Sequence, residues 1–317
     1  MKILVSVVIV NYNRRELLLA CLGSLERQTL AGFEVILVDN GSTDGSVEEA
    51  ASRFANSFPS GWRVIRNKEN RGFCAANNQG FSESSGEFVA LLNNDAEAEP
   101  GWLAGLLTGI SVADDVGMAA SKILVYEDSR RIDKAGHLIY PDGQNRGRGS
   151  GEIDRGQFDR MEEVLWPDGC AALYRKEMLE EIGGFDEDLF AYGDDAELGM
   201  RARVAGWRCF YMPSAVVRHH RGSTLGVLSS RRLELIEELD IQSRISEIRA
   251  PVLFIAGDKD LLIPSAREAR LMASLMPNAT VKIIKGAGHA CLLGERVSLA
   301  RLLHEWEQEL TQRVMEL

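Results

Sequence analysis

The 317-residue sequence predicts an α/β protein built on a mostly parallel sheet with helices on both faces. Three observations carry that prediction. Short β-branched runs that are apolar on both sides, as central parallel strands must be, alternate with longer stretches of helical spacing. Polar turn residues follow the strand ends, which is where open α/β sheets bind ligands. A hydrophobic share of 45% is ample for one large core or two domains, and far from a disordered composition.

The elements follow in order. Val5 to Val10 reads as a buried strand, and Glu16 to Leu25 as the helix behind it. Glu34 to Val38 repeats the strand signal before "DNGSTDGS" and a helix from Val47 towards Phe58. Trp62 to Ile65 and Phe88 to Leu92 are further strands, separated by a loop and short helix in "NKENRGFCAANNQGF". This βαβα alternation is the pattern of a parallel sheet. The segment from about Ser129 to Asp159 is rich in Gly, Arg and Asp with weak periodicity, which predicts a mobile loop region that could serve as a lid. "GCAALYRKEMLEEIGGF" then gives a strand, a helix and a Gly-Gly turn. "YGDDAELGMRARVAGW" opens a helix on two carboxylates, and Arg208 to Tyr211 and Ala215 to Val217 are short strands.

Charge and cysteine usage remove whole classes of function. A net charge of −11 with a pI near 5.1 lacks the basic footprint of a nucleic-acid binder. Cys21, Cys74, Cys170, Cys209 and Cys291 have no C-x-x-C spacing, so neither a disulfide framework nor a zinc knuckle is indicated, and reducing cytoplasm is expected. "MKILVSVVIV" mimics a signal peptide, but it breaks at Asn11-Tyr12-Asn13-Arg14-Arg15 without a small-residue cleavage pattern. No run reaches the roughly 18 apolar residues of a membrane span, so any membrane association is expected to be peripheral.

The stretch "ALLNNDAEAEPGW" is the most pointed local signal, because an apolar strand ends abruptly in two amides and a carboxylate. A solvated turn explains it as well as a ligand site does. Asp194 and Asp195 are equally ambiguous, since acidic groups at a helix N-terminus are favoured by the macrodipole.

Taken in order, "VSVVIVNYNRRELLLACLGSLERQT", "EVILVDNGSTDGS", "NRGFCAANNQGF", "LLNNDAEAEPGWL", "GGFDEDLFAYGDDAELGMRARVAGW" and "VVRHHRGST" resemble the family-two inverting glycosyltransferases, especially their rhamnosyltransferase-like branch. The resemblance covers about Val5 to Gly226. It implies a GT-A nucleotide-diphospho-sugar transferase fold and a divalent cation, Mn2+ or Mg2+. It also implies a nucleotide-diphosphate sugar donor of UDP or dTDP type, and transfer of a single sugar with inversion to a glycan or lipid-linked acceptor. Asn93-Asn94-Asp95 stands where the family carries its D-x-D element, with Asp95 matching the metal carboxylate and Asn93 replacing the first Asp. Asp39 matches the carboxylate that binds the nucleotide base, flanked by Asn11 and Asn13. Arg71 and Asn78 match polar positions near the nucleotide, although Arg71 reads equally as a loop charge. Asp195 matches the general base, with Asp194 in place of the more usual Glu. His219 matches a metal-completing histidine, but adjacent His220 leaves the register open. The "WPDGCAAL" segment and Asp186 lie where relatives bind acceptors. The Q-x-x-R-W element of processive synthases is absent, which favours single-sugar transfer; the expected location is cytoplasmic, with the inner face of a membrane as an option.

From about Asp240 the text changes. "PVLFIAGDKD" through "GAGH" resembles the last strands and helices of an α/β-hydrolase, with Asp260 and His289 matching that family's triad acid and base. No G-x-S-x-G elbow exists to supply a nucleophile, so hydrolysis is not expected. The expected organisation is a transferase domain at 1–228, a linker at 229–239 and a small α/β fragment at 240–317. That fragment either packs on the transferase domain or pairs with a second copy. The alternative reading is a non-catalytic fusion with a vestigial sugar-nucleotide site and a protein-binding tail.

Overall fold

The computed structural model describes residues 3–140, 145–189, 193–220, 251–258, 265–285, 304–306 and 308. The chain divides into two compact units, Met1–Ile139 with Asn145–Ser223, and Tyr140–Gln144 with Thr224–Leu317.

In the first unit, β1 (Val5–Asn11), β2 (Phe33–Asp39), β3 (Trp62–Arg66) and β4 (Phe88–Leu92) run parallel in the order β3-β2-β1-β4. Parallel neighbours require crossovers, supplied by α1 (Arg15–Leu25), α2 (Ser46–Phe54) and α3 (Gly72–Ser82). Because β2 and β3 join one side of β1 and β4 the other, the chain reverses its direction of growth between β1 and β4. The carboxyl ends of those two strands therefore border a switch-point crevice.

The sheet continues beyond β4. β11 (Ala171–Arg175) is antiparallel to β4 and to β6 (Val116–Val125). β12 (Arg208–His219) runs parallel to β6, with β10 (Glu162–Val164) at the edge. β5 (Ala96–Ala98) pairs with the end of β12, and β7 (Ile132–Lys134) with β6. Alternation along β1 divides the core into two layers. Val5, Val7 and Ile9 pack with Leu18 and Leu22 of α1 and with Trp102 and Leu106 of α4 (Trp102–Ile110). Val8 faces the other way, into a layer shared by Phe81, Met178 of α5 (Lys176–Ile182) and Leu198 of α6 (Asp194–Val204).

Three departures from the sequence reading have physical causes. Residues 129–159 are not a plain loop. β7 and the hairpin of β8 (His137–Ile139) with β9 (Asn145–Gly147) are tied in by bonds such as Ile132 N–H to Glu152 O and Ala135 N–H to Arg148 O. Strands of three residues are too short to show a period, and buried Asp133, His137 and Arg148 break the apolar pattern. The two short strands expected at 208–217 form one strand, β12, whose register shifts between Met212 and Val216. Pro213 lies inside that shift, where no ladder N–H is required. Finally, α4 and β6 carry no expectation from the sequence. α4 is apolar almost all round, and β6 mixes Gly and Ala into a ten-residue run, so neither shows an alternation.

The second unit contains β13 (Val252–Gly257) and β14 (Ala279–Ile284), parallel to one another, with α7 (Ser265–Leu275) between them in the chain. Asp260 and His289 lie outside the described residues. Among the described residues no helix is long and apolar enough to cross a membrane.

Candidate active site

The carboxyl ends of β1, β2 and β4 converge through amide hydrogen bonds. Asn11, fully buried at the end of β1, donates to Ser42 Oγ at 3.1 Å and Ser46 Oγ at 3.0 Å. Its Oδ1 accepts from Asn94 at 2.8 Å, which pins the turn after β4 to the end of β1. Asn13 adopts a left-handed backbone, tolerated by Asn, and its side chain accepts from Thr43 N–H. Asp39 is buried and accepts from the Ser42 amide. Next to it, buried Asn40 gathers the 67–72 loop by bonding Asn67, Asn70, Arg71 N–H and Gly72 O. Arg71 and Asn78 both reach the 185–187 segment. Arg71 lies 4.0 Å from Glu187, and the Asn78 amide bonds Phe185 on both sides and Glu187 as well.

Asn93 is held by its backbone, its N–H bonding Cys170 O at 2.8 Å. Asp95, 4% exposed, meets His219 Nε2 at 3.3 Å because β5 pairs antiparallel with the end of β12. The other ring nitrogen of His219 bonds Asp133 at 2.7 Å. Burial works to remove the ring proton, but Cys170, Asp133 and Asp95 outweigh it and hold the His219 pKa well above the ordinary histidine value. His220 faces elsewhere. It stacks on Tyr126 with centroids 3.5 Å apart and lies between Glu97 and Glu127.

A second cluster forms around Asp195, the second residue of α6. His137 Nε2 lies 3.1 Å from Asp168 Oδ2 and 3.7 Å from Asp195 Oδ2, and Lys134 Nζ also bonds Asp168 Oδ2. Burial opposes the Asp168 charge, yet Lys134 and His137 keep its pKa well below the carboxylate range. For Asp195 the balance is reversed, since burial and the negative charge of Asp168 raise its pKa. Successive residues of β7 serve both clusters, Asp133 turning to His219 and Lys134 to Asp168, as strand alternation requires. Cys170 joins them, its amide bonding Asp168 Oδ1 at 2.9 Å and its thiol lying against His219.

The structure thus brings Asn11, Asn94, Asp95 and His219 to one edge, and places Asp195 beside groups that the sequence reading does not single out. His137, Asp133 and Lys134 come from a stretch with no periodic signal. Asp168 sits inside "WPDGCAAL" without any spacing that marks it as the partner of Asp195.

A sequence model of glycosyl transferase family 2 matches residues 6–183, more than half of the chain. The chain belongs to glycosyl transferase family 2. A second model, glycosyl transferase family group 2, matches residues 149–233. One relative in sequence is the N-acetylglucosaminyl-diphospho-decaprenol L-rhamnosyltransferase of Mycobacterium tuberculosis, 30% identical over 241 residues, which are 69% of this chain and 77% of that protein. In fold the chain resembles GalNAc-T7 with UDP, GalNAc and Mn2+, at TM-score 0.57 and 18% identity over 69% of this chain and 44% of that one. It also resembles the mannosyltransferase PcManGT of Pyrobaculum calidifontis in complex with GDP-Man and Mn2+, at TM-score 0.53 and 21% identity over 78% of this chain and 65% of that one. Family membership makes the protein a glycosyltransferase with a GT-A-like α/β fold.

Proposed function

We propose that this glycosyltransferase moves one sugar, with inversion, from a nucleotide-diphosphate sugar of UDP or dTDP type to a hydroxyl of a glycan or lipid-linked acceptor. The observation that carries the reading is the pair of clusters joined by Cys170, Asp95 with His219 on one side and Asp195 with Asp168 on the other.

Asp95 and His219 fit a divalent cation. They present a carboxylate oxygen and an imidazole nitrogen to one another, a donor pair that suits Mn2+ better than the oxygen-seeking Mg2+, and a cation there would displace the proton that the surrounding acidic groups hold on Nε2. Asp133 fixes the ring through Nδ1, the arrangement usual behind metal-binding histidines. His219 rather than His220 is the ligand in this reading, because only His219 faces Asp95. When bound, the cation neutralises charge that builds on the departing diphosphate. Mn2+ accompanies the nucleotide in both structural relatives.

Donor binding falls to the strand ends. Asp39 and Asn13 sit on the 39–46 loop side, where the nucleotide base is read, and Asn11, Asn93 and Asn94 shape the floor between base and diphosphate. Arg71 and Asn78 act one step back, by holding the 185–187 segment. In the transfer, Asp195 takes the acceptor hydroxyl proton while the oxygen bonds the anomeric carbon. The bond to the diphosphate breaks on the opposite face, and the nucleoside diphosphate leaves with the electron pair. A carboxylate whose pKa is raised by its surroundings is suited to accept that proton. The lipid-diphosphate acceptor in the name of the mycobacterial relative supports a lipid-linked acceptor, met by peripheral association at the inner membrane face.

The second unit is read as a remnant of an α/β-hydrolase. Two parallel strands with a helix between them in the chain are consistent with that end of such a fold. Without a nucleophile it is catalytically silent.

Turnover measured with a panel of nucleotide sugars, Mn2+ and a polyprenyl-diphospho-N-acetylglucosamine acceptor tests the reading. Asp195→Asn should spare nucleotide affinity and lower transfer by about 10²–10⁴-fold. Near-normal transfer with a lowered melting temperature would reduce Asp195 to a helix-terminal structural group. No transfer and no Mn2+-dependent nucleotide binding by the intact protein would favour the vestigial-site alternative.

A further inference from the structure

We propose that His137, braced by Lys134 and Asp168, is a positioning residue that holds the Asp195 carboxylate in place and in its anionic form. This rests on the reading of Asp195 as the base. His137 belongs to β8, is 6% exposed, and is tied by its backbone to Trp166, with its N–H bonding Trp166 O at 3.0 Å and its carbonyl accepting from Leu165. The ring lies nearly parallel to that of Trp166, with centroids 6.5 Å apart.

Both ring nitrogens face oxygen acceptors, Nδ1 meeting Asn145 Oδ1 at 2.9 Å and Nε2 meeting Asp168 Oδ2 at 3.1 Å. Only the imidazolium donates from both nitrogens. The cluster then holds two cations, Lys134 and His137, against two carboxylates, Asp168 and Asp195. His137, Asp168 and Asp195 have their ligand atoms within 4.8 Å of one another, a spacing that would suit a metal. The Lys134 ammonium already occupies the carboxylate that such an ion would need.

The division of labour follows from the contacts. Lys134 and His137 both bond Asp168 and so fix it as the anchor. Asp195 takes only the outer side of the His137 charge, at 3.7 Å, and remains able to accept a proton. Burial and Asp168 push the Asp195 carboxyl toward its protonated form, and His137 with Lys134 opposes them. The other polar groups near it are the buried Tyr174 hydroxyl from β11 and Asp194 from its own helix. Removing the His137 charge takes away a force that favours the carboxylate, so Asp195 should hold its proton to higher pH.

The test uses the full chain with His137→Gln, which keeps a hydrogen-bond donor but not the charge, and His137→Ala. Carbon-13 NMR of aspartate carboxyls, with the Asp195 signal assigned by its loss in Asp195→Asn, reads the titration without needing a substrate. The expected result is a rise of about 1 pH unit or more in the Asp195 midpoint in both variants. In transfer assays, kcat should fall with the donor KM unchanged, and the acid limb of the kcat profile should move up by the same amount. An unmoved midpoint in a folded His137→Gln protein overturns the proposal. Normal transfer by Asp195→Asn would overturn the base assignment instead, and the NMR midpoint would still decide whether His137 sets the charge of Asp195.

Discussion

Asp133 decides which nitrogen of His219 is presented to Asp95, since its bond to Nδ1 at 2.7 Å leaves Nε2 as the face turned to the carboxylate. Asp95→Ala should abolish Mn2+-dependent binding of UDP or dTDP in calorimetry, because the cation loses its only carboxylate in the proposed pair. Asp133→Asn should weaken the same binding by about 10–100-fold and leave metal-free binding unchanged, as expected when a partner behind a ligand is lost. Equal binding by the Asp133 variant would mean that the ring is oriented by other contacts. The contrast explains what was legible at this scale. Asp95 and Asp195 stand at a strand end and a helix start, positions that a linear text marks. Asp133 is 86 residues from His219, and His137 is 31 from Asp168. Such pairings exist only once strands are registered, and no local spacing encodes them.

At the scale of elements, α6, which carries Asp195, packs closely on Trp166 because residue 199 has no side chain. A Cβ there would lie 2.4 Å from Trp166 Cβ, and Trp166 in turn supports His137. Gly199→Ala should therefore destabilise the protein by about 1–3 kcal/mol through overpacking, despite the better helix propensity of Ala, and should lower turnover with it. Thermal melts and kcat measured together check this, and a more stable, fully active variant would refute the close-packing argument. The 150–160 segment is fixed differently, by Lys122 of β6 at 2.6 Å from Asp154 and 2.7 Å from Asp159. Burial raises the Asp154 pKa, but Lys122 and the Gly156 amide more than reverse this and leave it below the usual value near 3.8. A depressed folded pKa means that the stabilisation is full above that usual value and is lost as pH falls through the lower folded one. The pair should thus hold at neutral pH and release under acid. Lys122→Met should speed tryptic cleavage at Arg155 and Arg160 at neutral pH, and unchanged cleavage would show that the segment is held by its backbone alone. Elements with an unbroken apolar run, β1, β2 and β4, are readable from sequence. β7 to β9 are not, because each is three residues long and buried Asp133 and His137 break the apolar pattern.

At the scale of the whole molecule, the independence of the first unit can be tested. The first unit already closes two hydrophobic layers around its sheet, from Leu18 and Trp102 on one side to Phe81 and Leu198 on the other. Every residue assigned here to the donor, the cation or the base lies within it. A unit of that size buries enough surface to fold alone, whereas the described part of the second unit is two strands and one long helix, a small core by any measure. On α7, Leu271 and Leu275 are one turn apart and both exposed at 40% or more. Truncation after Ser230 should therefore leave a chain that melts cooperatively and binds UDP or dTDP with Mn2+ as the full chain does. A truncated chain that is unfolded, beside a full chain that melts in one transition, would make the second unit part of the transferase core and move the domain boundary. Ester hydrolysis by the full chain, lost in His289→Ala, would show that the second unit had found a nucleophile which the missing G-x-S-x-G elbow does not provide.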